Sequence, residues 1–193
     1  MSSNAEPIRR ITKVPFDYDK FRAIADRYGW KLVRSEDTKP NHPLFHQEVF
    51  TDAAEVVELY YIEDDLAGVV YLAAGGPKAN EVLGILEREL PLFSDAELLA
   101  SFDQARSDEE VAHAVLRLGV ASMKEADPEF VRRFAQALNG EHAGVRSATL
   151  VAVSYRCWDE LKPLIQDLFD RETAEEPKRR AGRILERWEQ RIP

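Results

Sequence analysis

Hydrophobic residues follow two different spacings along this chain, and the spacing changes at Pro91. Before Pro91, four segments alternate between apolar and polar residues or are rich in Val, Tyr, Ile and Phe, which is typical of β-strands. These segments are residues 30–34, 45–51, 56–63 and 67–74. Short linkers between the last three favour antiparallel pairing. Val57, Leu59 and Tyr61 fall on one strand face, which we expect to point into the core.

Two helices are predicted to flank these strands. In residues 15–29, apolar residues recur at helical spacing and form one stripe. The residues of this stripe are Phe21, Ile24, Ala25 and Tyr28. Asp17 can cap the start of this helix, and Gly29 can supply the left-handed residue that ends it. A second helix is predicted from Pro77 to Leu90. Residues 1–92 are therefore predicted to form an α+β domain with a helix, about four antiparallel strands and a helix.

In the second half, every apolar pattern has the spacing of a helix. Ser94 and Ser107 each precede a glutamate by three residues, which is the sequence of a capping box at a helix start. Asp127 before Pro128 predicts another start. Each predicted helix is apolar along one side only, so the helices must bury these sides against one another. Residues 93–193 are therefore predicted to form an all-α domain.

The helical half repeats one pattern. Aligning Val145 with Lys178 and Ala148 with Ala181 superposes two segments at a shift of 33 residues. An earlier and weaker copy aligns Val111 with Val145 at a shift of 34 residues. A period of this size, built from two helices, indicates a helical solenoid.

The repeating segment resembles the HEAT-type family of helical repeats. The resemblance rests on the Leu-Lys-Pro-Leu-Ile run that begins at Leu161, and on Val145 and Arg146 followed by small residues in the second helix. It implies a short stack of helix pairs, with arginines that form a polar ladder between neighbouring repeats. Ala112 stands where the first copy would have this arginine, and Lys178 stands where the third copy would have the valine. The first half carries no motif that indicates a family.

Composition restricts the function further. The chain has 193 residues, of which 45% are hydrophobic and 32% charged, and its formal net charge is -9. Acidic residues outnumber basic ones in both halves, which disfavours a general nucleic-acid binder. Cys157 is the only cysteine, so an internal disulfide is excluded and a reducing compartment is favoured. The polar N-terminus and the short apolar runs predict a cytoplasmic protein that does not enter a membrane.

Candidate chemistry in the first half lies around the second predicted strand. Residues 35–44 contain two prolines and are predicted to be an exposed loop. His46 and Glu48 follow it two residues apart, so their side chains point to the same side and could share a metal ion or a proton. A polar, solvent-facing strand explains the same pair, and no third ligand has regular spacing. We therefore predict no metal, no cofactor and no defined catalytic set, with His42, His46 and Glu48 kept as candidates.

Candidate binding residues lie in the helical half. The last predicted helix concentrates basic residues, among them Lys178, Arg179, Arg180, Arg183 and Arg187. These side chains could meet phosphates or an acidic partner, or they could form a solvated face. As contacts to a partner we predict Arg146, Tyr155, Arg183 and Arg187.

Together these patterns favour a non-enzymatic protein-interaction module that binds a macromolecular partner through its helical stack. A regulatory or immunity-type protein that blocks a basic target is one version, suggested by the acidic net charge. The alternatives are an enzyme that uses the His46 and Glu48 site, and a DNA-binding relative of the HEAT-like glycosylases, suggested by the basic last helix. A protein partner is expected and nucleic acid is disfavoured, while the identity of the partner and the oligomeric state stay open.

Overall fold

The structure is a computed structural model, and it describes residues 6–37, 45–121 and 125–190. The chain divides into two compact units, Met1–Ser94 and Asp95–Pro193. The first unit contains a five-stranded antiparallel sheet and two helices. The second contains helices and turns throughout its described residues. The predicted α+β fold with a helical C-terminal part is confirmed.

Five strands form the sheet of the first unit. They are β1 (Ile8–Ile11), β2 (Lys31–Asp37), β3 (Phe45–Thr51), β4 (Glu58–Asp64) and β5 (Val69–Gly75). Their order across the sheet is β1-β5-β4-β3-β2, and all neighbours are antiparallel. The prediction of four strands missed β1, because four residues with two central arginines show too little alternation to be read as a strand. The predicted loop also began too early, since β2 continues to Asp37 through its pairing with β3.

Two helices, α1 (Tyr18–Arg27) and α2 (Ala79–Glu89), cover one face of this sheet. The Asp17 side chain caps α1 by accepting from the Lys20 N–H, and Gly29 takes a positive φ of 72° after the helix end. Both features were predicted. The largest fully buried side chains of this core are Phe21, Ile24, Phe50, Leu59, Leu72 and Leu86. Val57, Leu59 and Tyr61 point inward as expected, whereas Tyr28, the last member of the predicted stripe, is exposed.

Within its described residues, the second unit contains three consecutive pairs of α-helices. The pairs are α3 (Asp95–Asp103) with α4 (Asp108–Ala121), α5 (Pro128–Leu138) with α6 (Ala143–Ser154), and α7 (Lys162–Arg171) with α8 (Glu175–Glu189). The first helices of successive pairs contact each other, and so do the second helices. The unit therefore has two layers of helices, in which each pair packs on the next.

The second helices α4 and α6 are in close contact at Gly119 and Ala152. A Cβ atom on Gly119 would lie 2.5 Å from both the Cα and the carbonyl oxygen of Ala152. Real side chains do not tolerate such a distance, so the two helices cross in direct backbone contact. A glycine at this position is what allows α4 and α6 to pack.

Arginines link the first helices of successive pairs. Arg133 of α5 donates to Asp103 at the end of α3 at 2.5 Å. Arg171 at the end of α7 donates to the Leu138 carbonyl at 3.0 Å and to the Asn139 side chain at 2.6 Å. These contacts join each pair to its predecessor near the turns where the first helices end.

Candidate functional site

A polar patch interrupts the apolar sheet face that α1 covers. The strand register makes Asp37, His46 and Glu63 one row of cross-strand neighbours, and Ser35, Glu48 and Tyr61 the adjacent row. Directly opposed residues share a sheet face, and this face contains the core residue Leu59. The first turns of α1 add two further polar side chains. We call the following residues the Glu48 cluster: Tyr18, Arg22, Asp37, His46, Glu48, Tyr61 and Glu63.

Glu48 is the buried acid of this cluster and is only 8% exposed. The Tyr18 hydroxyl donates to Glu48 Oε2 at 2.5 Å, and the Arg22 guanidinium donates to the Tyr18 oxygen at 3.2 Å. A buried carboxylate is costly unless donors compensate it. Tyr18 provides such a donor, and Arg22 brings positive charge next to the phenol. Burial, followed by the hydrogen bond with Glu48, raises the pKa of Tyr18.

His46 connects Glu48 to a second carboxylate. Its Nδ1 lies 2.8 Å from Asp37 Oδ1, and its Nε2 lies 3.7 Å from Glu48 Oε1. The hydrogen bond with Asp37 raises the pKa of His46; burial acts in the opposite direction, and the negative charges of Asp37, Glu48 and Glu63 add to the increase. The imidazole is 29% exposed, so one edge of it reaches solvent.

Tyr61 completes the cluster on β4. Its hydroxyl donates to Glu63, and its ring centre lies 5.0 Å from that of Tyr18. Burial and then the Glu63 carboxylate raise the pKa of Tyr61. The phenol is therefore a fixed proton donor at neutral pH. The cluster as a whole can hold a proton on His46 between two carboxylates, and histidine is the side chain most often used in general acid–base catalysis.

His46 and Glu48 lie close together on β3, and their surroundings differ from the alternative of a solvent-facing strand. They lie on the face covered by α1, because the strand carries Phe50 into the core on the same side. His42 lies outside the described residues. Within the described ranges, no group of three His, Cys, Asp or Glu side chains is arranged to hold a metal ion.

Sequence reasoning missed Tyr18 and Arg22. Tyr18 lies three residues before Phe21, and Arg22 lies three residues before Ala25, so both share the side of α1 that faces the core. Extending the predicted stripe by one turn toward the N-terminus would have placed Tyr18 over the sheet. Its contact with Glu48, 30 residues away, follows only from the tertiary packing.

The basic residues of α8 fall into two groups. Lys178 donates to the Glu172 carbonyl at 3.1 Å, Arg180 pairs with Glu176 at 2.5 Å, and Arg179 also pairs with Glu176. Arg183 and Arg187, one turn apart, are exposed. In the described part of the chain, neither forms a hydrogen bond or an ion pair. We call these two residues the Arg183 row.

Arg146, another predicted contact, is engaged inside the helical unit. Its Nε and NH2 atoms donate to the two oxygens of Glu172 at 2.5 and 2.8 Å, and its NH1 donates to the carbonyls of Gly140 and Glu141. Its side chain is 12% exposed and that of Glu172 is 2% exposed. Arg146 thus links the start of α6 to the turn between α7 and α8. The hydrogen bonds from Arg146, and then those from the Ala174 and Thr173 N–H groups, lower the pKa of Glu172 to about 2 against the opposing effect of burial.

The fourth predicted contact, Tyr155, is the C-cap residue of α6 and is half-buried. Arg146 thus makes its contacts within the helical unit, whereas Arg183 and Arg187 are the two exposed side chains among the four predicted contacts.

Comparisons of the chain with protein-family models, with curated proteins and with solved structures each found no match. None of the helices in the described ranges combines the length and the apolar composition that a membrane-spanning segment needs.

Proposed function

We propose that this chain is a protein-interaction module whose helical unit is a HEAT-type stack that binds an acidic segment of a partner protein. The contacts among α3 to α8 support this proposal, since each helix pair packs on the next in two layers. Stacked helix pairs provide an extended surface without needing a catalytic pocket.

The links between helix pairs support a preformed binding surface. The contact of Gly119 with Ala152 and the pairing of Arg146 with Glu172 each join two helices through short distances. A surface that is rigid before binding loses less conformational entropy in the complex. The stack can therefore present side chains of α8 in a fixed arrangement.

The Arg183 row is the observation that carries the proposal. The other basic side chains of α8 are engaged with Glu176 or with the Glu172 carbonyl, whereas Arg183 and Arg187 are exposed and unpaired within the described residues. Arginine forms bidentate hydrogen bonds with carboxylates, and two arginines one turn apart match an acidic stretch of protein. Two exposed arginines suffice for a short acidic segment, whereas the net charge of -9 disfavours the long run of phosphates that DNA presents.

Affinity capture with the full chain tests this function. Tagged wild-type protein is incubated with extract of the cells that produce it, and stoichiometric partners are quantified by mass spectrometry. We expect a protein partner whose recovery falls about tenfold in the Arg183→Gln/Arg187→Gln variant, because two exposed charge-assisted contacts contribute roughly 0.7 kcal/mol each.

The matched control is Arg106→Gln/Lys162→Gln, which removes two exposed positive charges elsewhere in the same unit, one before α4 and one at the start of α7. Its recovery of the partner should equal that of the wild type. Absence of any stoichiometric macromolecule, or equal losses in both double variants, would refute the role of the Arg183 row.

An enzyme that uses the Glu48 cluster is the second candidate. The observation that favours it is the continuous path of polar contacts from Asp37 through His46 and Glu48 to Tyr18. A suitable test assays p-nitrophenyl esters and phosphate esters with the wild type, with His46→Gln and with the exposed-histidine control His113→Gln. Turnover that is lost only in His46→Gln supports this candidate. Turnover that survives His46→Gln, or no turnover at all of these substrates, counts against it.

A further inference from the structure

The two edges of the sheet differ in how their backbone groups are used. At the β1 edge, the Phe93 N–H donates to the Ile11 carbonyl at 2.8 Å, and the Lys13 N–H donates to the Pro91 carbonyl at 2.7 Å. The residues of β1 are buried or half-buried. At the other edge, all seven residues of β2 are exposed, and no described strand lies beyond β2. Alternate residues of such an edge strand direct their N–H and C=O groups outward, where another strand can pair with them.

The side chains of β2 separate by charge along the strand. Lys31 and Arg34 lie toward its start, and Glu36 and Asp37 lie at its end. Between Leu32 and Arg34 the register with β3 shifts by one residue, so Val33 forms a bulge and is 60% exposed. Charged side chains and bulges commonly block edge pairing. Here the bulge leaves the stretch from Arg34 to Asp37 regular, and the charges have both signs.

An antiparallel pair of two identical strands brings the start of one strand against the end of the other. The basic start of β2 would therefore meet the acidic end of a second β2. A two-fold axis at Ser35 places Arg34 directly opposite Glu36 of the second copy, and by symmetry this pair forms twice. Arg34 and Glu36 already lie on the same sheet face, where their side chains approach to 3.4 Å within one chain. Opposite charges on directly facing residues stabilise antiparallel pairing.

The alternative registers are less favourable. Directly opposed residues of a continuous sheet must share a face. The two-fold axis must therefore pass through a residue position, and the positions next to Ser35 are Arg34 and Glu36. The adjacent register on one side places Arg34 opposite Arg34, and that on the other side places Glu36 opposite Glu36. Like charges directly opposite each other destabilise the pair. The charge pattern of β2 thus selects the register that is centred on Ser35.

We infer that β2 is a self-association edge, through which two copies of this chain form a dimer by antiparallel β2–β2 pairing centred on Ser35. The interface is isologous, as a two-fold dimer requires, and it joins two five-stranded sheets into one. It lies in the first unit and does not depend on the Arg183 row. Failure of the proposed function and failure of this inference are therefore separately observable.

Sedimentation equilibrium of the full chain over micromolar to submillimolar concentrations tests the dimer. We expect a monomer–dimer equilibrium that weakens about tenfold or more in Arg34→Glu and in Glu36→Arg, since each variant creates two like-charge contacts across the axis. The combined Arg34→Glu/Glu36→Arg variant restores both opposite-charge pairs, so its dissociation constant should return to near that of the wild type.

Lys20→Glu is the matched control, because it reverses an exposed charge of the same unit on α1 instead of on β2. It should leave the dissociation constant unchanged, and circular dichroism should show the same thermal transition for all variants at low concentration. In hydrogen exchange, amides of residues 31–37 should become more protected as the protein concentration rises. A protein that stays monomeric throughout, a dimer insensitive to both single reversals, or a double reversal that fails to restore association would each overturn the inference.

Discussion

The two units of this protein bury a carboxylate in different ways. In the sheet unit, Glu48 receives a neutral donor, the Tyr18 hydroxyl, and shares its surroundings with His46, which can gain or lose a proton. In the helical unit, Glu172 receives a permanently charged guanidinium and two backbone N–H groups. The stability of the first site therefore depends on the protonation of its side chains, and that of the second depends on an ion pair with a permanent charge. We expect the two units to respond differently to substitution and to pH.

The largest effect is expected from breaking the ion pair of the helical unit. Glu172→Ala leaves the guanidinium of Arg146 buried without its carboxylate and removes the acceptor of the Thr173 and Ala174 N–H groups. Loss of one partner of a buried pair typically costs about 3–5 kcal/mol. Urea-dependent hydrogen exchange of peptides from residues 143–171 should show this loss in the free energy of unfolding.

The control for this substitution is Glu186→Ala on the exposed side of α8, which should change the same free energy by about 0.5 kcal/mol or less. A pH series sharpens the test. The pKa of Glu172 is about 2 in the fold and 4.5 ordinarily, so its contribution is present above pH 4.5 and is lost as the pH falls toward 2. A helical unit that is as stable at pH 3 as at pH 6 would contradict the ion-pair account.

A glycine in each unit allows a direct comparison of helix packing. Gly119→Ala should destabilise the helical unit by about 2–3 kcal/mol, because the added methyl group overlaps the backbone of Ala152. Helix propensity alone predicts the opposite sign, a gain of up to about 1 kcal/mol. The same hydrogen-exchange measurement on residues 108–121 decides between these signs.

Gly84→Ala in α2 is the matched control in the sheet unit. A methyl group there would approach only the flexible end of Arg88, at 3.6 Å, so it should stabilise α2 through propensity. If both glycine substitutions stabilised their helices, the close crossing of α4 and α6 would be wrong.

The sequence predicted the helical unit more completely than the sheet unit, and the reason is the range of the interactions. Helix starts and stripes depend on residues three or four positions apart, so the Asp127 cap of α5 could be read directly from the chain. The site around Glu48 depends on strand register and on the packing of α1. His46 and Glu48 were found from their two-residue spacing, but Tyr18 was not, because nothing local relates it to β3.

The contacts of Arg146 also could not be predicted from the sequence, because they too depend on tertiary packing. The repeat resemblance implied a polar ladder of arginines between repeats, but Arg146 was also predicted as a contact to a partner, since sequence spacing cannot show which arginines of a helix are buried. The acceptor, Glu172, lies 26 residues further on, at the turn between α7 and α8. Only the packing of the second helix pair against the third brings the two together.

A smaller effect is expected at the buried phenol of the sheet unit. Tyr18→Phe removes the hydroxyl that donates to Glu48 and that accepts from Arg22. Loss of one hydrogen bond to a buried acceptor should cost about 1–2 kcal/mol. Tyr28→Phe at the C-cap of the same helix is the control, because the hydroxyl of Tyr28 lies 3.5 Å from Glu89 at an exposed site. Equal free energies of unfolding for the two variants, measured on peptides from residues 45–64, would show that Tyr18 does not support Glu48.

The smallest effect separates the two units by the sign of their pH dependence. The pKa of His46 is raised in the fold, chiefly by Asp37, from an ordinary value of 6.5. The protonated ring therefore stabilises the sheet unit fully below pH 6.5, and this contribution is lost as the pH rises through the folded pKa. We expect the free energy of unfolding of residues 45–64 to fall by about 1 kcal/mol or less between pH 6 and pH 8, since the imidazole is partly exposed. His46→Gln should abolish the fall, and the exposed-histidine control His113→Gln should preserve it. A fall of the same size in His46→Gln would assign the titration to another group. It would show that His46 does not hold a proton between Asp37 and Glu48.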